Sequence, residues 1–189
     1  MNIVIDFDNT VYNSTRKVCD FHNIIYNKNV DWKLVRNWNL DDQCSFKNPE
    51  REVENIFDDK MFYQKQYLYK DSIKYINKLC EKYEVNFCTI GNPKNIYHKS
   101  NLIRQYFPKA GIMSLTNIKN KGMIDLSESI FIDDKLHNLL NSDAKYRWLF
   151  EHKKIRMNFN SHFNDHSHQV ESVSKWNKIY DKVEEMCNG

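Results

Sequence analysis

Apolar and polar positions fall in short blocks along this chain, and the blocks change period from one to the next. Ile3-Val4-Ile5 is an uninterrupted β-branched run and predicts a short buried strand. Val85–Ile90, Gly111–Leu115, Ser129–Ile132 and Tyr146–Phe150 predict further strands. Helical spacing between them predicts helices over 71–82, 94–107, 135–141 and about 170–186, the second of these stopped by Pro108. Residues 13–27 also carry a helical pattern, with Val18, Phe21, Ile24 and Ile25 on one face and Asn13 or Ser14 placed to cap it. From Asn27 to Tyr69 regularity is lost. Short helical pieces at 31–37 and 50–58 are interspersed with aromatics, and no convincing strand is visible. Strands alternating with helices imply a parallel sheet covered on both faces. The expected architecture is thus an α/β, Rossmann-like, doubly wound parallel sheet, with residues 1–12 and 70–189 as core. Residues 13–69 are expected to form a small helical cap inserted after the first strand and folded over its carboxyl end.

Four polar features fall at the carboxyl ends of predicted strands, where open α/β sheets bind ligands. They are Asp6 with Asp8, Thr89, the lysines Lys119 and Lys121, and Asp133 with Asp134. Asp6 and Asp8 are two residues apart, so on a regular strand they share a face. Carboxylates that close repel unless a cation lies between them or their roles differ. One acid attacking phosphorus while its neighbour carries the proton, with Mg²⁺ neutralising charge, is one chemistry that needs such a pair.

In order and spacing these features resemble the haloacid-dehalogenase-like (HAD) superfamily of phosphohydrolases. Its four motifs, DxDx[TV], a strand-terminal Ser or Thr, a Lys and an acidic pair, match Asp6-Phe7-Asp8-Asn9-Thr10, Phe87-Cys88-Thr89, Lys121 and Ile132-Asp133-Asp134. The resemblance implies Asp6 as nucleophile and Asp8 as acid and base. It implies Thr89 and Lys121 as phosphoryl ligands, with Lys119 the alternative motif lysine. It implies Mg²⁺ as cofactor, held by Asp6, Asp133, Asp134 and the Asp8 carbonyl. Within the superfamily the chain looks most like the 5′(3′)-deoxyribonucleotidases and their bacterial and phage relatives. That likeness rests on length, the early cap, the Ile103–Phe107 helix end, Trp148-Leu149-Phe150 followed by Asn158, and Trp176 in the last helix. Two departures stand out: Ile90 where a polar residue is common, and Asn9 where Gly is frequent.

The expected substrate is therefore a nucleoside monophosphate. Ile90 adjoins the phosphate-binding Thr89, Lys94 could reach a phosphate at a helix N-terminus, and Trp32, Trp38 or Phe21 could stack on a base, with Phe62 a further aromatic candidate. The alternatives are a phosphatase for another small ester or a polynucleotide end, and a non-catalytic nucleotide-binding protein on the same scaffold.

Composition narrows this only a little. The 189 residues are 41% hydrophobic and 28% charged, ordinary for a globular chain, with a net charge of +3 that gives no nucleic-acid signal. No apolar stretch approaches a membrane span, and no signal-peptide pattern precedes the first strand. Five cysteines without a CxxC pair fit a reducing compartment, so the cytoplasm is the expected location, and a homodimer is a compatible assembly. His162, His166 and His168 lack a flanking cysteine and are read as surface, not as a zinc site. Lys153, Lys154 and Arg156 are too few for a nucleic-acid patch.

Overall fold

In the computed structural model, which describes residues 1–35, 40, 43–116, 121–151 and 169–188, the β-branched run forms β1 (Asn2–Ile5) at the middle of the sheet. Ile3, Val4 and Ile5 have no exposed surface, because β1 is paired along both edges and covered on both faces. It runs parallel to β2 (Glu84–Ile90) on one side and to β4 (Ser129–Asp133) on the other, with Ile5 opposite Phe87 and Ile132. β3 (Gly111–Leu115) extends the sheet beyond β2; β5 (Tyr146–Phe150) and β6 (Glu171–Val173) extend it beyond β4. The six strands are all parallel, in the order β3-β2-β1-β4-β5-β6.

That order reverses direction between β1 and β4. Loops leaving the two strands diverge there and open a crevice at their carboxyl ends, the place where doubly wound sheets take ligands. Side-chain alternation divides the core. Ile3, Ile5, Phe87, Ile132, Trp148 and Trp176 pack on one face, and Val4, Cys88, Phe131 and Leu149 on the other.

The helices are α1 (Ser14–Tyr26), α2 (Pro49–Phe57), α3 (Ser72–Cys80), α4 (Pro93–Tyr106), α5 (Leu136–Leu140) and α6 (Trp176–Asn188). Local chemistry starts several of them. Asn13 caps α1 by accepting from Arg16 N (3.0 Å); Asn48 and Asn92 cap α2 and α4, each followed by Pro at the first turn. Asp71, expected to favour the start of α3, occupies the N-cap in a left-handed conformation (φ 65°) without a side-chain cap bond. Residues between α1 and α3 form helices and 3₁₀ turns, including one at Trp32–Leu34, and among the described residues they add no strand to the sheet.

Two expectations need correction. The predicted 170–186 helix is a short strand followed by a helix: Glu171–Val173 pairs with β5 as a parallel edge, and the helix starts only at Trp176. Three residues are too few for a period to register. On α1 the buried side is Ser14, Thr15, Lys17, Val18, Cys19 and His22, whereas Ile24 and Ile25 are 82% and 59% exposed. The first half of that helix turns its polar residues toward the crevice, which rotates the apolar stripe outward at its end.

No described helix is long and apolar enough to cross a membrane, and none of the five cysteines forms a disulfide. Trp38, Lys119, Asn158, the three-histidine group and the Lys153–Arg156 cluster lie outside the described residues.

Candidate active site

β1 continues one rung past its last residue, since Asp6 N donates to Ile132 O (2.8 Å). This fixes the Asp6 side chain at the mouth of the crevice beside the end of β4. The chain then turns sharply. Val11 N and Tyr12 N both donate to Phe7 O, and Asn9 takes a left-handed conformation (φ 58°). Asn is one of the few residues other than Gly that visits that region at small cost. Here its side chain also accepts from Thr15 N and Thr15 Oγ1 (both 3.0 Å), tying the turn to α1. The departure from Gly at this position thus has a local physical reason.

Four carboxylates converge on the crevice, in two environments. Asp6 and Asp133 share the Lys121 ammonium: Nζ donates to Asp6 Oδ1 and to Asp133 Oδ2 (2.8 Å for the latter). Thr10 Oγ1 donates to Asp6 Oδ2 (3.2 Å). Asp133, fully buried, also accepts from Lys135 N (2.8 Å) and from Asn138 Nδ2 on both oxygens (3.2 and 3.0 Å). Oxygens of Asp6, Asp133 and Asp134 lie within 4.8 Å of one another.

Burial raises the Asp6 carboxyl to about 6, against the pull of Lys121 and with the Asp133 and Asp8 charges adding to it. Burial, then Asp6 and Asp133, push Asp134 well above the carboxylate range. For Lys121 burial acts the other way, but Asp133 and Asp6 outweigh it and hold the ammonium protonated. The cluster is short of positive charge. Hard oxygen donors packed this closely suit a small divalent cation such as Mg²⁺.

Asp8 is in the second environment. Its Oδ1 accepts from Ser14 Oγ (2.5 Å) and, at 3.5 Å, from Tyr63 OH; its Oδ2 accepts from Lys99 Nζ (2.5 Å). Lys99 projects from α4, is fully buried, and also donates to Thr89 Oγ1 (2.5 Å) at the end of β2. Two neighbouring carboxylates, one facing a cation site and the other held by hydroxyls and an ammonium, can serve as nucleophile and proton carrier.

A cavity of about 620 Å³ opens above these groups. Its floor includes Asp6, Asp8, Lys121 and Asp134; Ile90, Gly91, Asn92 and Asn95 form one side. The opposite side is α2, where Glu50, Val53, Glu54 and Phe57 recur at helical spacing on one face. Asn92 Nδ2 donates to Glu54 Oε1 (3.1 Å), and Asn95 Nδ2 donates to Phe57 O (3.1 Å) and Tyr63 OH (2.9 Å), joining α4 to α2 across the cavity edge. Gly91 permits this: a Cβ there would meet Asn95 Oδ1 at 2.4 Å.

Asp6, Asp8, Thr89, Lys121, Asp133 and Asp134 are therefore brought together, and Ile90 lines the cavity. None of the proposed stacking residues that are described lines it. Phe21 lines a separate, smaller hollow with Phe46, and its ring faces Lys17 Nζ (4.7 Å) and Phe62. Trp32 packs half-buried on the core, Phe62 is fully buried among aromatics, and Lys94 is exposed on the first turn of α4. The aromatic side chain lining the cavity among the described residues is Phe57.

Sequence reasoning missed Lys99, Ser14, Tyr63 and Asn138. A signal existed for Lys99. With Asn95, Leu102 and Ile103 it forms the buried stripe of α4, so it is a lysine at a core-facing helical position.

No protein-family model matches the chain, and no curated protein matches it in sequence. Solved structures do resemble it. A haloacid dehalogenase-like hydrolase from Streptococcus pneumoniae superposes with a TM-score of 0.65 at 13% identity. A putative HAD hydrolase from Bacillus subtilis, bound to magnesium, gives 0.57 at 9% identity, and a D,D-heptose 1,7-bisphosphate phosphatase from Burkholderia thailandensis gives 0.51 at 9%. Each match covers 96% of this chain and 97% of the other. The chain has the fold of HAD-superfamily hydrolases.

Proposed function

We propose that this protein is a Mg²⁺-dependent phosphomonoesterase that works through an aspartyl-phosphate on Asp6. The observation that carries the reading is the division of labour between Asp6 and Asp8, two residues apart with different partners. An Asp6 carboxylate oxygen attacks phosphorus and the bond from phosphorus to the ester oxygen breaks. Asp8, as its carboxylic acid, gives the departing oxygen a proton; it then takes a proton from the water that attacks the acyl phosphate, releasing inorganic phosphate and Asp6. Lys121 and the Thr89 hydroxyl stabilise charge on the phosphoryl oxygens. Mg²⁺, when bound by the carboxylates of Asp6, Asp133 and Asp134 and by the Asp8 carbonyl, supplies charge neutralisation for the incoming dianion. Asp134 lines the cavity, whereas Asp133 lies fully buried behind it and also orients Lys121.

The substrate we favour is a nucleoside monophosphate, with residues 13–69 acting as the cap. A 620 Å³ cavity falls within the usual range for small-ligand sites, and Val18, Val53, Phe57 and Ile90 give it apolar walls. Among the described residues, Phe57 replaces Trp32 and Phe21 as the preferred surface for a base. A second reading, a small sugar phosphate, draws on the bisphosphate phosphatase neighbour and on the absence of a Trp among the described lining residues.

Turnover of p-nitrophenyl phosphate and of a panel of nucleotides and sugar phosphates, with Mg²⁺ and with chelator, tests both. The expected result is Mg²⁺-dependent release of phosphate, abolished in Asp6→Asn, with nucleoside monophosphates the best of the panel. Undiminished activity in Asp6→Asn refutes the mechanism; turnover of sugar phosphates alone refutes the nucleotide reading.

A further inference from the structure

A buried lysine is expensive unless every proton of its ammonium is taken up. Lys99 has no exposed surface, and its Nζ lies near three acceptors: Asp8 Oδ2 and Thr89 Oγ1, both at 2.5 Å, and Ile90 O at 3.4 Å. All three belong to the candidate active site, on β2 and on the turn after β1. The lysine itself comes from neither, but from the second turn of α4, held in the stripe of Asn95, Leu102 and Ile103.

We propose that Lys99 is a positioning residue for the proton-transfer step. It holds the Asp8 carboxyl against the leaving-group side of the crevice and sets the direction of the Thr89 hydroxyl. This rests on the phosphatase reading above and adds to it a lysine distinct from Lys121.

The second half of the proposal follows from donor counting. An ammonium offers only donors, so Thr89 Oγ1 must accept from Lys99. The hydroxyl hydrogen is then turned away from Nζ, available to a phosphoryl oxygen. Asp8 gains a different constraint. Ser14 Oγ and Lys99 Nζ bind opposite oxygens of the carboxyl, which fixes the plane of the group as well as its position. Asn95, one turn before Lys99 on the same stripe, donates to Tyr63 OH, and Tyr63 OH in turn reaches Asp8 Oδ1. Thus α4 approaches Asp8 along two routes, and a displacement of the helix moves the proton carrier.

The two lysines divide the carboxylates between them. Lys121 serves Asp6 and Asp133; Lys99 serves Asp8. A purely structural Lys99 would stabilise the fold without distinguishing one leaving group from another. A positioning Lys99 distinguishes them in the first step, where only a poor leaving group needs the Asp8 proton; the water attack that follows needs Asp8 whatever the ester.

The test is Lys99→Met in the Mg²⁺-loaded enzyme, assayed on a nucleoside 5′-monophosphate and on p-nitrophenyl phosphate, whose leaving group departs without a proton. Well-placed acid catalysis contributes about 10²–10⁴-fold. We expect kcat/KM, which reports phosphoryl transfer to Asp6 and not the later water attack, to fall about 10²-fold on the alkyl ester and about 10-fold or less on p-nitrophenyl phosphate. In an Asp8→Asn background the same substitution should cost less than about threefold on the alkyl ester, since the group it positions can no longer carry the proton. Equal losses in kcat/KM on the two substrates, or a loss that adds in full to that of Asp8→Asn, overturn the proposal. Should Lys99→Met not yield folded protein, Lys99→Gln, which keeps a donor without the charge, is read by the same criteria. Wild-type turnover that Asp6→Asn abolishes upholds the phosphatase reading whatever Lys99 does. A wild-type chain that hydrolyses neither ester refutes that reading and the positioning role together.

Discussion

Lys121 is the group whose removal has the most calculable consequence. It is 2% exposed and joins two carboxylates, Asp6 and Asp133, the second wholly buried. Lys121→Met keeps much of the volume and removes the charge, leaving the two acids facing each other. Breaking a buried ion pair by deleting one partner costs about 3–5 kcal/mol. The lower end applies here, because Asp6, already raised to about 6 by burial, escapes part of the penalty by taking up a proton. For a chain of this length each kcal/mol lowers Tm by about 2–4 °C, so a loss of about 3 kcal/mol becomes about 6–12 °C in metal-free protein. On the proposed function, Mg²⁺ bound by the same carboxylates would restore the missing positive charge. Thermal melts of wild type and Lys121→Met, with chelator and with saturating Mg²⁺, should therefore show a larger metal-induced rise in the variant. A metal-free Tm within about 2 °C of wild type, or equal shifts in both proteins, would refute the charge accounting.

Three further outcomes follow from the cavity walls and the helices around them. His22 is buried, accepts from Ser45 N at Nε2 (3.1 Å), and burial holds it below the ordinary histidine value. The unfolded chain therefore binds the proton first, so stability should rise with pH through that window. That contribution should be complete above about 6.5 and fall away on acidification, read as the Tm difference between wild type and His22→Gln from pH 5 to 8, in which the opposing titration of Asp6 and Asp134 cancels. Gly91→Ala places a Cβ in the space of Asn95 Oδ1. It should loosen the α4–α2 contacts and raise KM at least about threefold with the fold retained by circular dichroism, and an unchanged KM would count against those contacts. Glu50 and Glu54 put two carboxylates on the wall facing the phosphate site, so the wild-type enzyme should disfavour substrates with a second phosphate. Glu50→Lys should improve kcat/KM for a bisphosphate relative to its monophosphate by about tenfold at low salt, and no change in that ratio would remove α2 from substrate selection.

The parts of the site that were legible in the sequence are those set by strand ends. Asp6, Thr89 and Asp133 follow fully buried apolar runs, and in a parallel sheet the direction of every such run is the same, so their polar ends must meet. The motif order leaves Lys119 and Lys121 as alternatives, and Lys121 is seen between Asp6 and Asp133. The missed partners act across long separations. Lys99 reaches Asp8 from 91 positions away, and the Tyr63 to Asn95 bond joins the segment between α2 and α3 to α4. A lysine on a helix is ordinarily solvent-facing, so only its position in the buried stripe distinguishes Lys99. The aromatics before α3 misled for a related reason. Phe21 and Phe62 are used in packing, since so small a helical unit needs large side chains to bury any area. The face of α1 was misjudged because its buried residues include Ser14, Thr15 and Lys17, whose hydrogen bonds to Asp8, Asn9 and Gln64 no local pattern reveals.

The central claim is the covalent step on Asp6. Borohydride reduces an acyl phosphate and leaves a carboxylate untouched. Quenching the enzyme into borohydride during turnover of p-nitrophenyl phosphate, then mapping peptides by mass spectrometry, reads the intermediate directly. Conversion of Asp6 to homoserine, dependent on both substrate and Mg²⁺ and with Asp8 unmodified, is the result expected. Steady turnover with Asp6 unreduced, or reduction at Asp8 instead, would contradict the account.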